Sequence, residues 1–176
     1  MQIIIQPILF KPDKDIISML ENTLSGEFNG YSIVTASPIK EISGQLFDKQ
    51  RNQWKSNNIL QWLSDKYESL SKSQKILAIC DFDAYSSSLN FVFGEAYLHG
   101  SISAIYLPRL RQEFYGLKPN KSLLSQRIVK EAVHELGHAF GLNHCNVIRC
   151  VMHFSNSLSD TDVKTSQFCD RCRGFI

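Results

Sequence analysis

HELGHAFGLNHC, residues 134–145, carries three of the chain's five histidines and one of its five cysteines within twelve positions. Apolar residues Ile128, Val129, Ala132, Val133, Leu136, Ala139 and Phe140 repeat at helical spacing up to and through this stretch. The pattern predicts one helix over about 121–140, starting near Asn120 or Ser122, packed on one side and free for chemistry on the other. Histidines four apart stand one turn above each other, about 6 Å along the axis. Two imidazoles so placed, His134 and His138, can converge on one Zn²⁺ at about 2.0–2.1 Å. Glu135 leaves the helix rotated from that line, beside a water rather than on the metal, where a general base belongs. Gly141 can adopt a positive φ, end the helix and turn the chain back. The three residues from Gly141 to His144 span roughly 10 Å when extended, enough to return a third imidazole. Three protein ligands leave a fourth position open, as a catalytic zinc requires.

The rest of the composition is that of an ordinary globular protein. The chain has 176 residues, 43% hydrophobic and 20% charged, with a formal net charge of +2. That is enough chain to bury a core, and the length points to a single domain over 1–176. So small a charge gives no electrostatic case for nucleic acid or a membrane surface. No apolar run approaches a membrane span. MQIIIQPILFKPD lacks a basic leader, and Gln6 and Pro7 interrupt it, so it reads as a first strand rather than a signal peptide. A cytoplasmic, monomeric protein is expected. Cys80 ends the run ILAIC and reads as a buried strand residue. Cys145, Cys150, Cys169 and Cys172 cluster late, and in a cytosolic chain such a cluster indicates metal rather than disulfides.

Five strands are expected: Ile3 to Phe10, Tyr31 to Ile39, Lys75 to Tyr85, NFVFGEAYL from Asn90, and ISAIYLP. KILAICDFDAY is nearly continuous in its apolar character, as in a strand buried on both faces. Asp81 and Asp83 at its end fit strand termination better than catalysis. Gly94 suggests a bulge or a close backbone approach. A helix capped by Asp13 carries Ile16, Ile17, Leu20 and Leu24 on one stripe, with Gly26 placed to end it. Asn57 or Asn58 caps a second, marked by Ile59, Leu60, Leu63, Tyr67 and Leu70. Between these elements Gly44–Ser56 has no clear period and reads as irregular, and SLSKSQK as a loop. Arg109 and Arg111 read as a solvated face, His99 as a surface loop residue, and His153 as an unassigned surface or pocket residue. The class is α+β or mixed α/β.

HELGHAFGLNH matches the long HExxHxxGxxH motif of the metzincin metalloproteases. Followed by Cys145, Cys150, Met152, Cys169 and Cys172, it resembles the archaemetzincins. Sixteen residues separate Met152 from Cys169, one fewer than the family pattern, which touches no ligand. DFDAY and NFVFGEAY are similar to the family's strand segments, so the resemblance covers most of the chain. It implies a zinc-dependent peptidase acting on peptides or proteins, with His134, His138 and His144 as catalytic zinc ligands and Glu135 as general base. Met152 would lie beneath that zinc. The implied fold is a metzincin-like single domain: a twisted five-stranded mixed sheet with the active-site helix (1–143), then a zinc-stabilised C-terminal part (144–176). One antiparallel edge strand would line the cleft, and Phe93, Gly94, Glu95 and Ala96 are its candidates, since substrate can add to a free edge by backbone hydrogen bonds. The four cysteines, a short pair on each side of a loop, suit a closed structural zinc, giving two zinc ions per chain. A disulfide reading needs an oxidising compartment.

Two other classes compete. A protein could keep this fold as an interaction module without turnover, but the intact Glu135 argues against it. A zinc-knuckle nucleic-acid binder would use Arg149, Lys164, Arg171 and Arg173, yet Asp160, Asp162 and Asp170 break up any basic stripe.

Overall fold

The structure is a computed structural model that describes residues 1–69, 71 and 73–176. Its main sheet has five strands: β1 (Gln2–Ile8), β2 (Ser32–Thr35), β5 (Gln74–Cys80), β7 (Gly94–Ala96) and β8 (Ile102–Tyr106). Their order across the sheet is β2-β1-β5-β8-β7. All pairings are parallel except that of β7 with β8, which is antiparallel. The mixed sheet and the edge position of its antiparallel strand match the expectation. Central β5 explains its unbroken apolar run. Leu77 and Ile79 face a core built with α1 (Lys14–Glu27) and α3 (Lys121–Ala139). Ile76, Ala78 and Cys80 face the other way, onto Ile59, Leu60 and Leu63 of α2 (Ser56–Lys66). Alternate residues thus serve opposite layers of a helix–sheet–helix sandwich, and both must be apolar.

Local capping chemistry sets several boundaries. The Asp13 side chain accepts from Asp15 N and starts α1, and Asn120 accepts from Leu123 N and starts α3. Gly26 does not end α1. The helix continues through Glu27, and the left-handed turn falls at Gly30, with φ 84°. α2 begins at Ser56, without a side-chain cap from Lys55, rather than after Asn57 or Asn58. Leu70, expected on its stripe, lies outside the described residues.

The stretch expected to be irregular is ordered. Within Gly44–Ser56, β3 (Phe47–Asp48) and β4 (Gln53–Lys55) form a small second sheet with β6 (Ala84–Tyr85), in the order β3-β4-β6. Strands of two or three residues are too short to display a period, so only partners supplied from elsewhere reveal them. KILAICDFDAY is accordingly two strands: β5 stops at Cys80, and Ala84 joins the other sheet. The aspartates at the break take the two arginines expected to be solvated. Arg109 forms a two-pronged ion pair with Asp83 at 2.7 and 2.8 Å, and Arg111 Nη1 lies 2.6 Å from Asp81.

Beyond α3 the chain forms two short helices, α4 (Leu158–Val163) and α5 (Asp170–Arg173). Val151, Met152, Phe168 and Cys172 from this segment enter the main core. Glu27 at the end of α1 holds it, accepting from Phe168 N at 3.3 Å and pairing with Arg173. Among the described residues, no helix is long and apolar enough to cross a membrane.

Candidate metal centre and active-site cleft

α3 ends in a Schellman turn that aims the third histidine. Gly141 N–H donates to His138 O at 2.8 Å and Leu142 N–H to Gly137 O at 2.9 Å, with Gly141 at φ 99°. A side chain at Gly141 would overlap the His99 imidazole, which packs there, so close approach and backbone conformation both require glycine. His99 itself is exposed, as expected. The turn brings His144 back, and one ring nitrogen from each of His134, His138 and His144 lies within 4.8 Å of the others.

Hydrogen bonds fix the tautomers of the helical pair. His134 Nδ1 lies 2.7 Å from Val151 O, and His138 Nδ1 lies 2.7 Å from Leu142 O. A carbonyl can only accept, so each Nδ1 carries the proton and each Nε2 is a bare lone pair. Those two Nε2 atoms face each other at 3.1 Å with no proton to share. Two acceptors held so close suit a cation between them, and backbone-anchored Nδ1–H groups are how proteins orient metal-binding imidazoles. Burial lowers the pKa of all three rings, that of His134 well below the usual imidazole range and that of His144 to about 4, so they stay neutral as ligands must. The donor set fits zinc.

Glu135 is 4% exposed and lies against the edge strand. A Cβ at Gly94 would sit 2.5 Å from Glu135 Cγ, so the close approach that this glycine suggested is to the candidate base itself. Burial pushes the Glu135 carboxyl well above the usual carboxylate range; neighbouring Glu131 adds to this, and Lys164 opposes it. Glu131, one turn earlier on α3, forms a buried ion pair with Lys164 Nζ at 2.9 Å. Met152 is fully buried, with its sulfur against Gly137, where any side chain would collide with it. The sequence reading missed Gly137 and the Glu131–Lys164 pair. A glycine in a helix interior, disfavoured by about 1 kcal/mol relative to alanine, was the available sign of the first. Nothing local announces the second.

The four late cysteines also converge, each offering a sulfur within 4.8 Å of the others, and none is in a disulfide. Val147 N–H donates to Cys145 Sγ and Cys169 N–H to Cys150 Sγ, both at 3.4 Å. The Cys172 backbone N–H is the main cause that lowers the Cys169 thiol to about 7. Four sulfurs with supporting N–H donors fit a closed thiolate site. Cys145 is covalently next to His144, so the two centres share one backbone turn. His153 supports it, with Nδ1–H donating to Cys145 O at 2.8 Å. Of the four basic residues weighed for nucleic acid, Lys164 and Arg173 are engaged by Glu131 and Glu27.

A cleft of about 400 Å³ runs between the three histidines and the edge strand, lined by Glu135, Glu131 and residues of both walls. Phe93 directly precedes β7 rather than lying within it. Tyr106 N–H donates to Phe93 O at 2.8 Å and Tyr97 N–H to Ile102 O at 3.1 Å. With the β7–β8 register, this directs the backbone groups of Phe93, Glu95 and Tyr97 to β8. Those of Gly94 and Ala96 point to the open edge.

The family model for peptidase family M54 matches residues 35–176. The chain belongs to peptidase family M54. Its M54 relatives include an archaemetzincin of Pyrococcus furiosus, 40% identical over 97% of this chain and 89% of that protein. Among solved structures, an archaemetzincin of Archaeoglobus fulgidus complexed with malonate is 34% identical, with TM-score 0.80 over 100% of both chains. A zinc-dependent peptidase of Methanocorpusculum labreanum is 28% identical, with TM-score 0.86 over 98% of both chains. The chain is a zinc metallopeptidase, and its substrates are peptides.

Proposed function

We propose that His134, His138 and His144 hold the catalytic zinc and that Glu135 is the general base of peptide hydrolysis. The observation that carries this reading is the pair of Nε2 lone pairs facing each other at 3.1 Å, with the Glu135 carboxyl on the next helical position. Bound zinc supplies Lewis-acid polarisation of the scissile carbonyl and lowers the pKa of a water. Glu135 takes the attacking water's proton on a carboxylate oxygen and returns it to the leaving nitrogen. Burial raises its pKa, which makes the carboxylate a stronger base for the first half of that transfer. Gly94 and Ala96 hold the peptide as an added strand, through the backbone groups turned to the open edge. Phe93 and Glu95 frame that strand from its bonded side. Met152 supports the histidines from below by packing on Gly137.

Cys145, Cys150, Cys169 and Cys172 hold a second, structural zinc that fixes the backbone of His144. The whole chain, 1–176, is one catalytic domain, a monomer of the cytoplasm. Elemental analysis is expected to give two zinc ions per chain. A mild chelator should remove one quickly with loss of turnover and the other slowly, because a closed thiolate site is coupled to folding. A single zinc per active chain, or a Cys145–Cys150 disulfide in protein purified from cytosol, contradicts the two-site assignment.

A further inference from the structure

Arg109, Asp83 and the second sheet have no part in metal binding or proton transfer, yet they converge on the cleft wall. The Arg109 guanidinium lies 4.5 Å from the Phe91 ring centroid and 4.7 Å from that of Phe114. Its fork is held by both oxygens of Asp83. Asp83 Oδ2 also accepts from Gln53 Nε2 at 2.9 Å, and the same amide donates to Asn90 O at 3.0 Å. Val92 N–H donates to Ala84 O at 3.0 Å. Both flanks of Phe91 are therefore tied to the small sheet, and its ring is stacked on a cation held by two hydrogen bonds. Phe93 meets it edge-on from the core side, with centroids 5.3 Å apart.

Phe91 lines the cleft at one end of β7, together with Leu89, and Phe154 lines it beside His144, with ring centroids 5.0 Å apart. No lysine or arginine is among the described residues lining the cleft. Its carboxylates other than Glu135 are already engaged. Glu131 pairs with Lys164, and the Asn57 amide nitrogen, turned toward Glu95, lies 2.8 and 2.9 Å from its two oxygens. An acidic substrate side chain finds no lysine or arginine there, and a basic one finds, besides Glu135 and the paired Glu131, only Glu95, whose oxygens already accept from an amide, whereas an apolar one finds exposed aromatic and aliphatic surface.

We propose that Phe91 forms the wall of a subsite for a large apolar side chain of the peptide, and that Arg109 is the positioning residue that sets this wall. The proposal rests on the hydrolytic reading above. Phe91 is three residues from Gly94, so the subsite lies at most about 10 Å from the Glu135 position, within three residues of the cleaved bond.

The test uses zinc-loaded protein and a cleaved library peptide, with Phe, Leu, Ala or Asp placed in turn at each of the three positions on either side of the bond. Wild type is expected to favour Phe or Leu over Ala by about tenfold or more in kcat/KM at one position, and to disfavour Asp there. Phe91→Ala should bring that ratio close to one. Arg109→Lys keeps the charge but loses the fork and the stack; it should reduce the ratio, chiefly through KM, with zinc content unchanged. Phe91→Leu should restore part of it. The same peptides titrated onto Glu135→Gln protein read the preference as a ratio of Kd, with no turnover needed. Wild type that cleaves nothing sinks the hydrolytic reading, and those Kd ratios then still decide the subsite. No apolar preference at any position, or a preference that survives Phe91→Ala, overturns the subsite. A ratio untouched by Arg109→Lys overturns the positioning role.

Discussion

Glu135→Gln is expected to lower peptide turnover by about 10² or more without loss of zinc, the scale on which a missing general base is felt. Glutamine keeps the size of the side chain and fits the same contact with Gly94. His134, His138 and His144 are untouched, so folding and metal content should match wild type. His138→Ala should behave differently. Its Nε2 faces the His134 Nε2, and its Nδ1–H anchors Leu142 in the turn that leads to His144. Metal and turnover should therefore be lost together at that centre, while the cysteine site keeps its ion. Steady-state hydrolysis measured beside elemental analysis on each variant separates the two effects. Unchanged turnover in Glu135→Gln would remove the residue from the reaction.

What could be read in the sequence was what is local. His134 and His138 are one turn apart on a helix whose opposite face is apolar, so their convergence follows from helix geometry alone. Gly141 and His144 follow within six residues, and the turn between them has a chain-level signature. The cap at Asp13, the start of α3 near Asn120 or Ser122, and the doubly buried β5 were legible for the same reason. Features that depend on distant partners were not. Asp83 and Arg109 are 26 residues apart and read separately as a strand end and a solvated charge, though each neutralises the other. The small sheet joins Phe47 and Trp54 to Ala84, with α2 and β5 between them along the chain. Gly26 has the composition of a helix stop, but packing of Leu24 and Phe28 carries α1 past it. That is a case of tertiary contacts overriding propensity.

The buried pair Glu131–Lys164 is the other place where a single change should be costly. Lys164 Nζ has no exposed surface; it lies 2.9 Å from Glu131 Oε1 and 3.5 Å from His153 O. It joins the active helix to the segment that follows Met152. Glu131 Oε1 also accepts from Thr161 Oγ1 at 3.3 Å. Lys164→Met keeps much of the side-chain volume but leaves the Glu131 carboxylate buried without its cation. Such a break typically costs about 3–5 kcal/mol, because the desolvation of the remaining charge is no longer offset. Thermal unfolding of the zinc-loaded protein should show a large fall in midpoint. Adding Glu131→Gln to the same chain should recover much of the loss, since a neutral amide can still accept from Thr161. The sign of that recovery distinguishes an uncompensated charge from simple loss of packing. Packing loss would leave the double variant at least as unstable as Lys164→Met alone. Glu131 stands one turn before Glu135 on α3, and a carboxylate left unpaired there raises the Glu135 pKa further. Lys164→Met should therefore lose more turnover than its unfolded fraction explains, and Glu131→Gln should restore turnover and midpoint together.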